Sequence, residues 1–381
     1  MRIAVYAPLK PPDHPVPSGD RRMAQLLIAA LAARGHAVDL AARLRSFDGA
    51  GDRVRQSRIA ALGARIADRA IARALAAAAE ARPQAWLTYH LYYKAPDWIG
   101  PRVAGALAIP YVVVEASLAE KRARGPWSDG HAAVRAALAR ADAVISFHAR
   151  DEAALHGAVA DPRRLHRLRP FLDASAFAAA AAARAAHRAR LAAMHGLDPE
   201  RPWLLTVGMM RHGDKLASFR LLAAALARVA ARDWTLLIAG DGAARPDVEA
   251  AFAPLAPRVR FLGACGAADL PGLYASCDLF VWPAINEAWG MALLEAHAAG
   301  LPAVAGDSGG VGEILRDGRT GWLVPCADAD AFAAATAAAL DDPARRRARG
   351  AAACATATAE HDLGAAGAAL ERILAAARAA Q

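Results

Sequence analysis

The chain has 381 residues, 56% hydrophobic and 22% charged, a length for two to three domains, with two as the starting count, and a composition that excludes disorder across most of it. Its net charge of +9 is uneven: residues 1–190 hold 29 Lys and Arg against 16 Asp and Glu, a net +13, and residues 191–381 hold 17 against 21, a net −4. The apolar run Val103 to Val114 is broken by Pro110 and the N-terminal run meets Pro8, so neither a membrane span nor a secretory leader is expected and the protein is placed in the cytoplasm.

In chain order, residues 2–7 form an apolar run with β-branched members, and Arg21 to Arg34 shows helical spacing through Met23, Leu26, Leu27, Ala30 and Leu31. Gly35-His36 ends that helix and Ala37–Leu40 supplies the next strand, giving the opening βαβ unit of a parallel sheet. Short apolar runs at Ala85–Thr88, Tyr111–Val114 and Ala143–Ser146 continue the rhythm. The stretch Phe177 to His195 is alanine-rich and basic, with few large apolar residues, so a domain boundary is placed there. Strands follow at Trp203–Val207, Trp234–Ala239, Val259–Leu262 and Leu279–Trp282, with a helix at Leu216–Ala231 and alanine-rich helices to the end. The expected fold is α/β: two Rossmann-like, doubly wound domains over residues 1–185 and 186–360, facing across a cleft, with 361–381 a helix packing back on the first. Cys265, Cys277, Cys326 and Cys354 show no CxxC pair or zinc-ligand spacing and are read as reduced and structural, with no metal site.

The chemistry concentrates between Pro283 and Pro302. Glu287 and Glu295, seven residues between them, flank Gly290; a strand ends at Pro283, a loop carries Glu287, and helical spacing begins near Gly290. A helix N-terminus thus opens at the carboxyl end of a strand, where open α/β sheets bind ligands, and the N–H groups of Gly290, Met291 and Ala292 suit a diphosphate. A carboxylate beside a diphosphate is repelled, so the two glutamates suit sugar and ribose hydroxyls instead. On spacing alone the plainer reading leads, with Glu287 capping the helix and Glu295 a solvated helix residue.

The segment with Glu287 and Glu295, running on into Ala296-x-Ala298-x-Gly300-x-Pro302, resembles the signature of family 4 retaining glycosyltransferases of the GT-B fold. Val207-Gly208 with Arg211 and Lys215, Ala239-Gly240-Asp241-Gly242, Tyr274 with Asp278, Gly309-Gly310 with Glu313, and Gly318-x-x-Gly321 are similar to further landmarks in the same order. The likeness is looser in the first half, at Pro17-Ser18-Gly19-Asp20, at Gly35-His36-x-Val38 and at Pro170-Phe171-Leu172-Asp173.

The resemblance implies that Lys215, with Arg211 beside it, holds the donor diphosphate without a metal, that Glu287 binds the transferred sugar and that Glu295 binds the ribose. Gly208, Gly290, Met291 and Ala292 then line the donor site. Many members have arginine directly after the loop glycine; here Met209 stands in its place, and Arg211 is expected to compensate. Gly19 lets the first loop approach phosphate or acceptor, or is a plain turn glycine; Asp20 orients an acceptor hydroxyl or caps the helix beginning at Arg21. Glu115 stands where many members carry a histidine near the reacting sugar. A glutamate there accepts a hydroxyl but donates nothing unless burial raises its pKa. His90 either faces the same site or is a structural histidine, and the aromatics around it stack on an acceptor sugar or simply pack. Asp278 and Glu313 are expected to be structural.

By resemblance, the chain is expected to be a retaining, metal-independent hexosyltransferase with no cofactor. It moves sugar from UDP, GDP or another nucleoside diphosphate to a glycan or lipid-linked acceptor, in cell-surface polysaccharide or glycolipid synthesis. The basic first half suits a peripheral position on an anionic inner-membrane surface, and no nucleic-acid fold or motif is present. The alternatives are an inactive nucleotide-sugar-binding protein, suggested by Glu115 and Met209, and an epimerase or phosphorylase on the same scaffold.

Overall fold

A computed structural model describes residues 1–16, 18–147, 152, 155–287 and 289–380. Two compact units emerge, one of Met1–Arg169 with Leu363–Gln381 and the other of Pro170–Asp362. The last helix, Leu363–Ala379, belongs to the first unit, where it packs on the helix Gly19–Ala33 and Arg34 grips Glu371 at 2.7 Å.

The chain leaves the first unit at Arg169, sixteen residues before the boundary expected at 185, because the alanine-rich stretch is part of the second unit's packing. Phe177 lies 6.0 Å, ring to ring, from the buried Tyr274. Arg184 and Arg188 both bond Asp278, at 2.7 and 3.0 Å, and Asp278 also accepts the Trp203 N–H. The segment has few bulky apolar side chains and so carries the pattern of a joint, whereas arginine side chains and small helix faces do the packing.

The first unit is built on six strands: β1 (Arg2–Tyr6), β2 (Ala37–Leu40), β3 (Ala85–Tyr92), β4 (Tyr111–Ser117), β5 (Ala143–Ser146) and β6 (Leu165–Arg167). They pair in the order β2-β1-β3-β4-β5-β6, every pairing parallel. Helices cover both faces, so β3, β4 and β5 read as continuous apolar runs, with Tyr111 through Val114 fully buried. One polar network crosses this core. The buried Asp97 accepts from the Ile99 and Gly100 N–H groups at 2.8 Å, from Thr88 at 2.5 Å and from Tyr111 at 3.0 Å, while burial pushes its carboxyl pKa up. It locks β3 to β4, the two strands whose ends carry His90 and Glu115.

The second unit has β7 (Trp203–Val207), β8 (Thr235–Ala239), β9 (Val259–Gly263), β10 (Leu279–Trp282), β11 (Ala303–Asp307) and β12 (Gly321–Pro325). Their order is β12-β11-β10-β7-β8-β9, again parallel throughout. Counted from β7 this is the doubly wound 3-2-1-4-5-6 arrangement, and its order reverses between β7 and β10. Ligands of such sheets bind at the carboxyl ends beside that reversal.

Sequence patterning misses β6, β11 and β12. The first is a short, polar edge strand; β11 is small-residue (Ala-Val-Ala-Gly-Asp) and carries Gly306, whose added Cβ would sit 2.1 Å from the Pro283 carbonyl. Such strands carry little periodic signal.

Candidate donor site and the first unit's strand ends

In the second unit, the loop after β7 leads into the helix Asp214–Arg228, which carries Lys215 in its first turn. The loop after β10 carries Glu287 and leads into the helix Met291–Ala298. Because β7 and β10 are neighbours, these loops meet: Lys215 Nζ stands 2.5 Å from Glu287 Oε2 and 5.0 Å from the centre of the Trp282 ring. The Trp282 indole N–H donates to the same carboxylate oxygen at 3.0 Å. Two further bonds staple the loops together, Asn286 Nδ2 to Asp214 Oδ2 at 3.0 Å and the Ile285 N–H to Ser218 Oγ at 3.1 Å.

The β10 loop is conformationally costly. Ala284, at φ 58°, Asn286, at φ 50°, and Gly290, at φ 71°, are all left-handed, and Ala284 has no side chain able to compensate locally. Strain of this kind persists where surrounding contacts over-determine it, and it concentrates at functional sites. Gly290 caps the helix without a side-chain cap, so the first N–H groups, at Met291 and Ala292, lack intrahelical partners and point out of the helix end. Glu295, one turn further on, accepts from Tyr274 Oη at 2.9 Å. Tyr274 is fully buried, and that burial, with the Glu295 carboxylate beside it, holds its phenol pKa far above the usual value.

The sequence-predicted donor residues are therefore brought together at one sheet reversal, with two differences of arrangement. Lys215 and Glu287, assigned to different parts of a donor, form one ion pair. Arg211 reaches the Met209 sulfur, at 3.0 Å, and contacts neither Lys215 nor Glu287. Gly208 lies at the end of β7 with its carbonyl against Gly240; a Cβ at Gly240 would come 1.9 Å from that oxygen. Asp278, bracketed by two arginines at the amino end of β10, is structural, as the sequence suggested. Patterning places Trp282 only at a strand end. Its indole N–H is the signal, since a buried indole needs an acceptor.

In the first unit a second group gathers where β3 and β4 end. His90, at φ 62°, and Glu115, at φ 58°, are both left-handed and lie on adjacent strands, between the register pairs Tyr89–Val114 and Leu91–Ala116. His90 Nδ1 is 2.9 Å from Asp20 Oδ1 and 3.9 Å from Glu115 Oε2, and Tyr89 is hydrogen-bonded to Glu115. The His90 bond holds the Asp20 carboxyl below the usual carboxylate range. Ser18 Oγ caps the helix Gly19–Ala33 by accepting the Arg21 N–H, which leaves Asp20 to His90 and settles the capping alternative. Gly19 has an ordinary backbone, and a Cβ there would meet nothing within 4 Å, so it is not a strained turn glycine. Pro17, in the same motif, and Ala288, between the two glutamates, lie outside the described residues.

Residues 201–342 match the family model Glycosyl transferases group 1. Alpha-D-kanosaminyltransferase of Streptomyces kanamyceticus is 34% identical over 243 residues, 63% of this chain and 61% of that protein, so the match spans about three fifths of its length. Sucrose-phosphate synthase of Thermosynechococcus elongatus shares the fold over 100% of both chains, with a TM-score of 0.75 at 22% identity. The Anabaena protein HepE, solved in complex with UDP, shares it over 98% of this chain and 100% of its own, with a TM-score of 0.71 at 16% identity. With its two parallel six-stranded sheets the chain shares the α/β fold of these GT-B glycosyltransferases, and its residues 201–342 are similar to the group 1 glycosyltransferases.

Proposed function

We propose that the protein transfers a hexosyl group, with retention of configuration, from a nucleoside-diphosphate sugar to an acceptor hydroxyl. The observation that carries this reading is the Lys215–Glu287–Trp282 group beside the N-terminus of the helix bearing Glu295, at the reversal of the second sheet. The UDP bound to HepE supports a nucleoside-diphosphate donor.

The diphosphate lies on the N–H groups of Met291 and Ala292 and draws Lys215 away from Glu287, because two phosphate charges outcompete one carboxylate. Glu287, still oriented by the Trp282 indole, then accepts a hydroxyl of the transferred sugar, and Glu295, fixed by Tyr274, accepts from the ribose. In the transfer step the bond from the anomeric carbon to the diphosphate oxygen breaks and its electron pair leaves with the diphosphate. A bond forms from the acceptor oxygen to the same face of that carbon, and the acceptor proton passes to the leaving phosphate. Lys215 and the helix end stabilise the charge that develops there, and no metal takes part. Arg211, on the Met209 thioether, lies in the same loop and adds long-range positive potential. In the first unit, Asp20, His90 and Glu115 orient the acceptor, with Gly19 leaving room beside them.

Mass spectrometry of the purified chain with a panel of nucleotide sugars and acceptors, in chelator, is expected to show nucleoside-diphosphate release from at least one donor, and the anomeric proton coupling in the NMR spectrum of the product is expected to match the donor's configuration. An inverted product would sink the retaining step, and binding of donor without release across a broad acceptor panel would favour a protein that has lost turnover.

A polysaccharide or glycolipid acceptor at an anionic inner-membrane surface is part of the same proposal. The helix Arg53–Ala76 presents Arg53, Arg55, Arg58, Arg65, Arg69 and Arg73 against only Asp68, with Val54 and Leu75 more than half exposed at its two ends. A basic helix flanked by exposed apolar residues suits a headgroup layer. Flotation with anionic liposomes is expected, at a level that falls with salt; equal flotation with neutral liposomes would remove the charge argument.

A further inference from the structure

Beyond the Asp20, His90 and Glu115 group, the end of β3 carries a chain of rings. Successive centroids are 5.4 Å apart from His90 to Tyr92, 5.5 Å from Tyr92 to Tyr93, and 5.8 Å from Tyr93 to Trp127. Two cations close its far end. Lys94 Nζ lies 5.9 Å from the Tyr93 ring centre and 4.9 Å from that of Trp127, and the Arg122 guanidinium lies 5.4 and 5.1 Å from the same rings.

The platform is held rigidly from behind. The Trp127 indole donates to the Asp48 carbonyl at 3.0 Å, and the Asp48 N–H donates to the Lys94 carbonyl at 2.8 Å. Gly130 lets the Tyr93 backbone approach; a Cβ there would stand 2.2 Å from the Tyr93 carbonyl oxygen.

Neither cation meets a carboxylate among the described residues, and the buried Nε of Arg122 has no hydrogen-bond partner. The nearby acids are committed elsewhere. Asp48 takes Gln56 Nε2 at 2.8 Å and the Asp52 N–H at 2.9 Å, and Glu120 takes Arg135 at 2.8 Å. Cation–π packing alone would account for ring contact, but not for an unmatched pair of charges with an orphaned guanidinium nitrogen beside them.

We propose that the acceptor carries a phosphate group, held by Lys94 and Arg122, while its apolar faces lie along Tyr92, Tyr93 and Trp127 and its reacting end reaches the Asp20, His90 and Glu115 group. The inference rests on the glycosyltransferase reading. Aromatic faces suit sugar or aglycone carbon–hydrogen surfaces, and a guanidinium with an ammonium suits a phosphate ester, whether of a soluble sugar phosphate or of a lipid headgroup.

The test is equilibrium titration of the full chain with glucose 6-phosphate, with glucose, and with phosphatidylcholine vesicles carrying or lacking a long-chain alkyl phosphate. The same series is run on a K94Q/R122Q variant and on Arg122→Lys, with UDP and GDP titrated in parallel. At least one phosphorylated probe is expected to bind the natural chain about tenfold better than its neutral counterpart. The double variant loses that preference while its nucleoside-diphosphate affinity stays within about twofold, and Arg122→Lys keeps most of the preference. A preference confined to glucose 6-phosphate assigns a soluble acceptor, and one confined to vesicles a lipid-linked one. Equal binding of phosphorylated and neutral probes, or a preference that survives in the double variant, overturns the proposal. Failure of the natural chain to bind any nucleoside diphosphate is a different result and strikes the donor reading.

Discussion

Replacing Lys215 with alanine is expected to lower the rate of nucleoside-diphosphate release by about 100- to 1000-fold while leaving the protein folded, as loss of one preorganised charge-stabilising group does. Among the described residues the ammonium is the side-chain cation in contact with Glu287, at 2.5 Å, and it sits over Trp282. Without it the carboxylate keeps the Trp282 indole and faces the approaching diphosphate with its charge uncompensated. Binding and the stabilisation of the leaving group should both suffer, so kcat and kcat/KM fall together. About a third of the Lys215 side chain is exposed, so the stability cost of losing the pair is at most about 1 kcal/mol. Lys215→Arg retains the charge but not the compact geometry, and recovers only part of the rate. Assays of donor hydrolysis and thermal unfolding on the same preparations separate these effects.

Gly240→Ala is the second large expectation, and it acts through the backbone. Gly240 has φ 143°, a conformation open to glycine, and its added Cβ would stand 1.9 Å from the Gly208 carbonyl oxygen and 2.9 Å from the carbonyl carbon. Backbone cannot yield there cheaply. The loop after β7 is bonded to the β8 end through the Gly208 N–H to the Ala239 carbonyl at 3.0 Å and the Met210 N–H to the Asp241 carbonyl at 2.9 Å. The substitution must part these strands' ends and carry Lys215's helix with them. The expected loss is about 3 kcal/mol, seen as a fall of about 6 to 12 °C in the unfolding transition of the second unit. Gly105→Ala, an exposed helical position where a Cβ meets nothing within 4 Å, is the matched control and is expected to be neutral or slightly stabilising. Similar transitions for the two variants would refute the steric argument.

How much of the molecule is legible in its sequence depends on the range of the contacts involved. Local features are legible. The β-strand runs at Trp203–Val207 and Leu279–Trp282 fall where patterning puts them, and the helix after Gly290 begins one residue on. Contacts across the sheet are not. Lys215 and Glu287 are 72 residues apart and meet only because β7 pairs with β10, a neighbour relation that periodicity does not encode. Likewise Asp20 reaches His90 only because β1 pairs with β3, and the choice between capping and orienting roles needs Ser18 to be seen accepting the Arg21 N–H. The domain boundary is misplaced for a different reason. Alanine-rich helices bury little volume per residue, so the packing of Phe177 and the arginine brackets on Asp278 leave almost no hydrophobic pattern.

Titration of UDP, GDP and the corresponding nucleosides into the natural protein and into Lys215→Ala tests the donor site most directly. At least one diphosphate is expected to bind the natural protein about tenfold or more tighter than its nucleoside, and Lys215→Ala to reduce that preference severalfold, leaving only what the helix end supplies. Equal binding of diphosphate and nucleoside, or a preference untouched by Lys215→Ala, would contradict the donor-site assignment.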